Sequence, residues 1–402
     1  MKILVLLPTL VLYILGFYLL CNVLYLLFFA LAGHRRQQVE PANAQAAPLR
    51  MCVLMPAYHS DAVIQETGPA AVRHAYPGRF DVHVIADGLQ PATVEKLRQN
   101  GAGVVEVVFE KSTKGKALLA ALDSLPPDAY DVAVILDVDN EMAPGFLAQV
   151  NQSFAEGYRV VQGHRTAKNL DSPFAVLDAC NEEINNHIFR QGHASLGMSS
   201  ALIGSGMAFE YGYLHRLLRD IGDTPGEDKE LDFRALKDGV KIAYLPDAYV
   251  YDEKIPNSKV FANQRTRWLA TQQEFLSKYF GEGIRQLGQG NLDFADKVVQ
   301  SMLLPRILLL GILGVLVVLS LLWPVGPGPV FWLLLLAGAG AALLLALPAR
   351  LYTRQVGRAM LHLPVALGAM LLAILQLKKA KTSFMPTPHA ASAPGSTMRS
   401  EV

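Results

Sequence analysis

The sequence lacks paired cysteines, clustered metal-binding histidines and an excess of either charge. Its three cysteines, Cys21, Cys52 and Cys180, are widely separated, which excludes a disulfide framework and a thiolate metal site. No His-Glu-x-x-His spacing occurs among the ten histidines, and no Walker-type phosphate loop occurs either. The net charge is only +1, which argues against a basic nucleic-acid-binding surface, so we expect no nucleic-acid partner.

Residues 3–32 lack charge altogether, and their sequence is ILVLLPTLVLYILGFYLLCNVLYLLFFALA. A membrane-spanning helix needs about 20 apolar residues, whereas a cleaved signal peptide has an apolar core of roughly 7–15. The run therefore predicts a retained membrane anchor. Arg35 and Arg36 follow it, and the positive-inside rule then places the next domain in the cytoplasm. We expect a multi-pass protein of the cell membrane, such as a bacterial inner membrane.

Three further apolar runs, at about 302–323, 329–348 and 360–377, predict C-terminal transmembrane helices. Basic residues follow the second run (Arg350, Arg354 and Arg358) and the third run (Lys378, Lys379 and Lys381). Both groups suit the cytoplasm. A third run that crossed the membrane once would separate them, so this run is re-entrant or interfacial, or one span is miscounted.

The middle of the chain alternates short apolar runs with amphipathic stretches. Strands are predicted at 51–56, 80–87, 103–110 and 131–137, and helices at about 61–73, 91–99 and 115–124. This alternation predicts a parallel sheet with helices on both faces, whose ligands bind beyond the carboxyl ends of the strands. Those ends carry polar or charged residues in all four cases.

Two carboxylates follow the fourth strand, in the stretch DVAVILDVDNEM at 131–142. Val132 to Leu136 predict a buried strand, and period-two alternation would point Asp137 and Asp139 the same way. Two such close negative charges suit a positive partner, and a divalent cation that carries a diphosphate fits, since Mg²⁺ typically uses one or two carboxylates plus phosphate oxygens. The alternative is that one aspartate caps the next turn and the other is solvated.

The stretch KSTKGKALLAAL at 111–122 predicts an anion-binding element. Lys114 and Lys116 flank Gly115 just before a helix, where free N–H groups and the helix dipole favour anions. We take Lys116 as the candidate contact to a diphosphate. Alone, the stretch also fits a solvated basic loop.

With the later motifs added, residues 50–280 resemble the membrane-bound family 2 glycosyltransferases, which include cellulose, chitin and hyaluronan synthases. The resemblance depends on an ordered set of motifs: PAYHSD (56–61), IADG (85–88), KGKALL (114–119), DVDN (137–140), GSGMAF (204–209), GED (226–228) and QRTRW (264–268). It implies a GT-A-type α/β fold, a nucleoside diphosphate sugar donor, often UDP-linked, and Mg²⁺ or Mn²⁺ as cofactor.

The resemblance also implies roles on the donor side. Ala57 and Tyr58 match residues beside the nucleobase, and Asp87 matches a carboxylate that contacts the base. Asp137 matches the aspartate that contacts nucleotide or sugar, and Asp139 matches the metal ligand. Gln264, Arg267 and Trp268 match the Q-x-x-R-W motif, in which Arg267 can bind phosphate and Trp268 offers an apolar face to a sugar. Trp268 also suits a membrane-interface helix.

On the acceptor side, Asp228 matches the general base that takes the proton of the acceptor hydroxyl, and the reaction is implied to invert the sugar. Asp228 also fits a solvated helix start. Ser205 and Gly206 are expected acceptor contacts, because small residues let an acceptor approach the backbone. GED replaces the more usual Thr-Glu-Asp, and HSD replaces the usual Asn-Glu-Glu after PAY.

The expected function is transfer of a sugar to a glycan or lipid acceptor at the membrane, with polysaccharide synthesis and export, involving export partner proteins, as one version. The short C-terminal membrane part leaves a non-processive glycolipid glycosyltransferase open. A catalytically silent membrane scaffold or sugar sensor is an alternative, whereas the apolar runs are too few for a transporter built on repeats.

The predicted layout has five parts: an N-terminal transmembrane anchor at 1–36, a cytoplasmic GT-A domain at 48–255, interfacial amphipathic helices with QRTRW at 256–298, C-terminal transmembrane helices at 299–380 and a polar tail at 381–402.

Overall fold

The computed structural model describes residues 2–35, 47–224, 226–254, 258–323 and 325–380. Arg36, Lys381 and the predicted polar tail at 381–402 lie outside these residues.

An eight-stranded sheet forms the middle of the chain. Its spatial order is β3-β2-β1-β4-β7-β6-β8-β5. The strands are β1 Met51–Tyr58, β2 Phe80–Asp87, β3 Gly103–Val107, β4 Val132–Ile135, β5 Glu141–Met142, β6 Val160–Ala167, β7 Met207–Glu210 and β8 Ile242–Asp252.

The parallel sheet predicted from the sequence is correct for half of this sheet. Strands β3, β2, β1 and β4 are parallel neighbours, with Met51 opposite both Phe80 and Val132. Beyond β4 the sheet is mixed, because β7 runs antiparallel to both β4 and β6, and β5 runs antiparallel to β8. The four strands predicted from the sequence are therefore parallel, as expected, and the strands that were not predicted make the sheet mixed.

Helices cover both faces of the sheet, as the sequence predicts. Alternate residues of β1 separate into two buried clusters, with Cys52 and Leu54 on one face and Met51, Val53 and Met55 on the other. The helices of the α/β part are α2 Asp61–Val72, α3 Pro91–Gln99, α4 Lys114–Ser124, α5 Phe146–Ala155, α6 Pro173–Asn185, α7 Gly192–Ala194, α8 Tyr211–Leu218 and α9 Glu227–Lys237, and a π-helical stretch, Asn186–Gln191, links α6 to α7. The three helices predicted first along the domain coincide with α2, α3 and α4 within a residue or so.

The remaining helices are long and largely apolar or amphipathic. They are α1 Lys2–Ala32, α10 Ser258–Gly288, α11 Leu292–Met302, α12 Arg306–Leu322, α13 Pro329–Ala346, α14 Arg354–Met360 and α15 Leu363–Ala380. Two of them, α1 over Leu6–Ala32 and α13, are long and apolar enough to cross a membrane. They pack against each other and against α12 around a buried cluster that includes Leu19, Leu313 and Trp332.

The predicted run at 302–323 is not one straight helix. It begins only at Arg306, after a break from α11, and the axes of α11 and α12 differ by 54°. Pro305 precedes α12 and lacks the backbone N–H that a continuous helix would need there.

The third C-terminal run, which the sequence left open, forms α15 and packs along α10. Ala366 and Ala369 are buried beside Phe174 of α6 and Ile307 of α12. The segment between α13 and α15 also packs on the α/β part, since Leu351 and Val356 contact α6. Helix α15 and the segment that connects it to α13 therefore both lie near the sheet domain.

Candidate functional site

A cavity of about 670 Å³ opens beyond the carboxyl ends of β1, β2 and β4. Its walls come from the strand ends, from the first turns of α4 and α9, and from α6 and α10. Its far end is lined by apolar residues of the helices that flank the domain. This is the location that the strand order of an open α/β sheet favours for a ligand.

One end of the cavity is formed by the last residues of β1 and β2. Ala57 and Asp87 are almost fully buried there, whereas the ring of Tyr58 is exposed. Ser112 Oγ donates a hydrogen bond to Asp87 Oδ2 and orients the carboxylate. The second carboxylate oxygen of Asp87 can then accept a hydrogen bond from a ligand.

The DVDN stretch forms a turn rather than extended chain. Strand β4 ends at Ile135, and the N–H of Asn140 donates to Asp137 O at 3.0 Å. Strand alternation therefore does not apply to Asp137 and Asp139, although both line the cavity. Two buried side chains support the turn: Ser205 Oγ accepts from Asp137 N at 2.9 Å and donates to Asn140 Oδ1. Asn140 Nδ2 in turn donates to Asp139 Oδ1 at 3.1 Å.

Lys114 is the positive partner of the first aspartate. Its Nζ donates to Asp137 Oδ1 and, at 2.6 Å, to Gly204 O, and it lies 3.6 Å from Glu227 Oε1. Burial lowers the pKa of Lys114, but the charges of Asp137, Glu227 and Asp228 outweigh burial and raise the pKa overall. Lys114 is the first residue of α4, whose N-cap Thr113 accepts from Lys116 N at 3.3 Å.

Helix α9 begins with an acidic pair that faces Lys114. Glu227 is buried, and burial, with repulsion from Asp228, raises its pKa to about 7 despite the nearby Lys114. Asp228 lines the cavity, and its Oδ1 accepts from Lys229 N at 2.8 Å. Gly204 lies beside both charges, since an added Cβ would come within 3.6 Å of Lys114 Nζ and 3.8 Å of Asp228 Oδ2.

The QRTRW motif lies on α10 and forms part of the cavity wall. Gln264, Arg267 and Trp268 line it, and the Trp268 ring is partly exposed, at 38%. The Oε1 atom of Gln264 is buried with no hydrogen-bond partner among the described residues. Arg265 binds Asp178 at 2.6 Å, and its guanidinium stacks 4.1 Å from the Trp268 ring centroid, which holds the indole in place.

A buried ion network lies behind the aspartate turn. Arg165 donates to Glu182 Oε2 at 2.8 Å, and Lys254 donates to Asp252 Oδ2 at 2.7 Å. Asn140 Nδ2 donates to Asp252 Oδ1 at 2.9 Å and connects this network to the turn. Burial raises the pKa of Glu182, but the charges of Arg165 and Lys254 dominate and hold it well below its usual range.

The structure brings together most of the residues predicted from the sequence. Those that line the cavity are Ala57, Tyr58, Asp87, Asp137, Asp139, Asp228, Gln264, Arg267 and Trp268. Three predicted residues lie elsewhere. Lys116 points away and forms an ion pair with Asp223, and Ser205 and Gly206 are buried behind the turn, outside the cavity wall.

Sequence reasoning missed Lys114 as a cavity residue, and it missed Arg165, Glu182, Asp252 and Lys254. The sequence contained a weak indication of this network. Arg165 is a charged residue within the strand VVQGHRTA, whose first four residues are buried. Charged side chains are seldom fully buried unless they are paired, so this arginine predicted a carboxylate partner without identifying it.

The far end of the cavity differs in chemistry from the rest. Leu26 of α1, Phe189 of the π-helical stretch, Leu304, Ile307 of α12 and Met370 of α15 supply apolar surface there, next to the polar residues Lys297, Gln300, Ser301 and Arg306. The cavity thus extends from charged residues at the strand ends to apolar residues of the flanking helices.

Comparisons with known proteins agree with this geometry. The chain is 27% identical over 247 residues to the "Probable glycosyltransferase YdaM" of Bacillus subtilis (strain 168), and the match covers 58% of each chain. Its structure is similar to that of the mannosyltransferase PcManGT from Pyrobaculum calidifontis, solved in complex with GDP-Man and Mn²⁺. The TM-score is 0.56 at 17% identity, over 92% of this chain and 98% of that chain. This similarity shows a shared α/β fold of the GT-A type.

A family model described as "Glycosyltransferase like family 2" matches residues 48–271. That range contains the whole sheet and every cavity residue that the sequence predicted. Because the match covers more than half of the chain, the protein belongs to the glycosyltransferase-like family 2.

Proposed function

We propose that this protein is a membrane-embedded glycosyltransferase that moves a sugar from a nucleoside diphosphate sugar to a lipid acceptor. The observation that carries the proposal is the convergence of Asp137, Lys114 and Asp228 on one cavity that Arg267 and Trp268 close. The similarity to a probable glycosyltransferase and to a mannosyltransferase supports the same reaction class.

The donor is proposed to lie with its base near Ala57, Tyr58 and Asp87. The exposed Tyr58 ring offers a stacking surface, and Asp87 offers an acceptor oxygen to a base N–H. The diphosphate then lies near Lys114 and Arg267. Both are cations, and charge stabilisation of a departing diphosphate is often the largest catalytic contribution.

The residues present fit a divalent cation bound mainly by its nucleotide. Among the described residues no group of three or more His, Cys, Asp or Glu side chains forms a metal cluster. Asp139 supplies one buried carboxylate, and Mg²⁺ or Mn²⁺ sites in such enzymes use one or two carboxylates with phosphate oxygens. When bound, the cation would neutralise charge on the leaving diphosphate. The complex of PcManGT with GDP-Man and Mn²⁺ supports this assignment.

Asp228 is the proposed general base. The acceptor hydroxyl oxygen attacks the anomeric carbon, the bond from that carbon to the diphosphate oxygen breaks with its electron pair, and Asp228 takes the hydroxyl proton. Direct displacement inverts the anomeric centre. Neighbouring Lys229 N donates to Asp228 Oδ1 and orients the carboxylate.

The membrane location rests on the apolar helices. Helices α1 and α13 are long and apolar enough to span, and the broken pair α11–α12 adds a further candidate span. Arg350 lies at the domain end of these helices and donates to Glu183 Oε1 at 2.8 Å. We propose that the α/β domain is cytoplasmic, in agreement with the positive-inside rule.

A lipid acceptor fits the cavity better than a free glycan, because its far end is apolar. An acyl or isoprenoid chain can enter between the flanking helices, while its head group reaches Asp228. Chain elongation and export through partner proteins is the second version of this function, and the QRTRW motif is the feature that favours it.

The test uses the full-length protein in lipid nanodiscs with radiolabelled UDP- and GDP-sugars and a membrane lipid extract. Wild type should transfer sugar to extractable lipid in the presence of Mg²⁺ or Mn²⁺, and Asp228→Asn should lower the rate by about 10²–10⁴ with nucleotide binding retained. Asp128→Asn, which changes an exposed carboxylate far from the cavity, is the matched control. Equal rates near zero for wild type and Asp228→Asn would instead favour a silent sugar sensor.

A further inference from the structure

Arg306 is a cationic residue at the apolar end of the cavity. It is the first residue of α12, directly after the break that follows α11, and its side chain lines the cavity. Its Nη2 donates to Asn181 Oδ1 at 2.5 Å and to Asn185 Oδ1 at 2.8 Å. These two asparagines lie one turn apart on α6 and also line the cavity.

The guanidinium of Arg306 has no carboxylate partner within 4.0 Å among the described residues. Its Nη1 atom is buried and has no hydrogen-bond partner there either. The neighbouring cations of the cavity differ in this respect, because Arg165 binds Glu182, Lys254 binds Asp252 and Arg265 binds Asp178. A desolvated cation without a counter-ion is unfavourable, so this position is suited to an anionic ligand.

Donors for such a ligand are already grouped around Nη1. Asn181 and Asn185 use their Oδ1 atoms to hold Arg306, which leaves their Nδ2 groups without a partner among the described residues. One guanidinium and two amide groups form a set of hydrogen-bond donors of the kind that binds phosphate oxygens.

The surroundings indicate what carries the anion. Leu304 and Ile307 flank Arg306 along the chain, and Leu26 and Met370 add apolar surface from two other helices. The charged groups assigned to the donor lie on other elements: Asp137 follows β4, Lys114 begins α4 and Arg267 lies on α10. An anion at Arg306 with apolar groups beside it has the composition of a lipid head group.

We propose that Arg306, Asn181 and Asn185 form a subsite for the phosphate group of the lipid acceptor. This inference rests on the proposed function and specifies its acceptor as an anionic, phosphate-bearing lipid rather than a neutral one. The subsite would hold the phosphate of the head group, so that a hydroxyl oxygen of the acceptor approaches the donor beside Asp228.

The experiment measures lipid binding to the purified full chain in a non-ionic detergent by native mass spectrometry. The probes are phosphatidic acid and diacylglycerol with the same acyl chains, which differ only in the phosphate, and glycerol 3-phosphate, which lacks the chains. Wild type should bind phosphatidic acid at least about ten-fold more tightly than either other probe. Arg306→Gln should lose this preference, and Arg358→Gln, at an exposed position on α14, should keep it.

A second variant keeps the test independent of how well Arg306→Gln folds. Asn185→Asp retains the shape of the side chain and supplies the missing carboxylate, so it should also abolish the preference. The proposal is overturned if wild type does not discriminate between the two lipids, or if either variant keeps the preference. It is also overturned if glycerol 3-phosphate binds as well as phosphatidic acid, or if Arg306→Gln weakens nucleotide binding and leaves lipid binding intact.

The outcome is separable from that of the proposed function. Binding of phosphatidic acid involves no sugar transfer, so a discriminating but inactive protein would refute the proposed activity and keep the subsite. A protein that transfers sugar but does not discriminate between the two lipids would support the proposed activity and refute the subsite.

Discussion

The two aspartates of DVDN differ in the contacts described for them. Asp137 is paired with Lys114, and Asp139 accepts a hydrogen bond from the amide of Asn140. The sequence indicated that the pair needed a positive partner and suggested a metal ion. The structure supplies a lysine for the first aspartate, and the proposed function places the cation at Asp139, which is buried and lines the cavity.

Lys114 should matter far more than Lys116, although both belong to the same KGK stretch. Replacing Lys114 with Met removes the cation beside Asp137 and the proposed diphosphate, so we expect kcat for sugar transfer to fall by about 10²–10³. Lys116→Met removes only a surface ion pair with Asp223 and should leave kcat nearly unchanged. Steady-state transfer rates of the two variants in nanodiscs make the comparison. Equal losses would contradict the assignment of the diphosphate to Lys114.

The sequence could not choose between these lysines for a geometric reason. Residues two apart on a helix do not share a face, and a shift of two residues in the start of α4 would place Lys116 where Lys114 lies. The start depends on Thr113 as N-cap. Ser205 was expected at the acceptor because small residues let an acceptor approach the backbone, but its hydroxyl is used by Asp137 and Asn140.

Glu227 should make stability fall as pH rises through neutrality. Its folded-state pKa is raised from 4.5 to about 7, because burial and Asp228 disfavour the charged form more than Lys114 favours it. The folded protein therefore holds this proton more tightly than the unfolded chain. The resulting stabilisation is complete below about pH 4.5 and is lost as pH rises through about 7. Glu227→Gln cannot ionise, so its melting temperature should decrease less than that of wild type between about pH 5 and pH 8.

The measurement is thermal unfolding by tryptophan fluorescence, in detergent with EDTA and without nucleotide. Glu156→Gln, at an exposed position, is the control and should follow the wild-type pH profile. Parallel curves for wild type and Glu227→Gln would mean that Glu227 does not titrate in this range.

At the scale of elements, local sequence patterns predicted the individual strands and helices of the first half of the domain. Strands β1, β2 and β4 and helices α2 to α4 follow from apolar runs and amphipathic spacing. The mixed half of the sheet does not follow from such patterns. Strand β7 has only four residues and pairs antiparallel with β4 and β6, which are far away in sequence, and composition does not encode the direction of this pairing. The buried pair of Arg165 and Glu182 escaped for the same reason, since Arg165 lies on β6 and Glu182 on α6.

The structure also explains the conflict between the basic residues on either side of the third C-terminal run. Helix α15 packs along α10, which carries QRTRW beside the cavity, and its Ala366 and Ala369 are buried against that region. The loop with Arg350 is bound to Glu183 of α6. If α15 lies on the domain side of the membrane, both basic groups are cytoplasmic, and the conflict disappears.

We therefore expect residues 354 and 378 to be on the same side of the membrane. In a Cys21→Ser background, Arg354→Cys and Lys378→Cys should both react with a membrane-impermeant maleimide only in inside-out vesicles. The two remaining native cysteines, Cys52 and Cys180, are buried. Gly328→Cys, in the turn before α13, has open space for the side chain and should react only in right-side-out vesicles. Labelling of Lys378→Cys from the face that labels Gly328→Cys would show that α15 crosses.

On the scale of the whole molecule, hydrogen bonds connect the α/β domain to the apolar helices. The hydroxyl of Tyr25 in α1 donates to Asp296 of α11 at 2.9 Å and lies 3.0 Å from His193 Nε2 of α7. His187 contacts Ala30 O at 2.8 Å near the end of α1. These contacts hold the charged and apolar ends of the cavity in one position, so a head group at the domain surface can meet a donor at the strand ends.

This arrangement predicts that each acceptor receives a single sugar. An exported polysaccharide needs a polar passage for its hydroxyl groups, because a buried hydroxyl without a partner is costly. The lining that the flanking helices supply includes Leu26, Phe189, Leu304, Ile307 and Met370, and among its polar groups Arg306, Asn181 and Asn185 are assigned to the lipid head group. With excess radiolabelled donor and lipid extract, the product should therefore stay in the organic phase and release one labelled sugar per chain on mild acid hydrolysis. Asp228→Asn gives the background, and a ladder of longer glycans in the wild-type sample would establish the processive version instead.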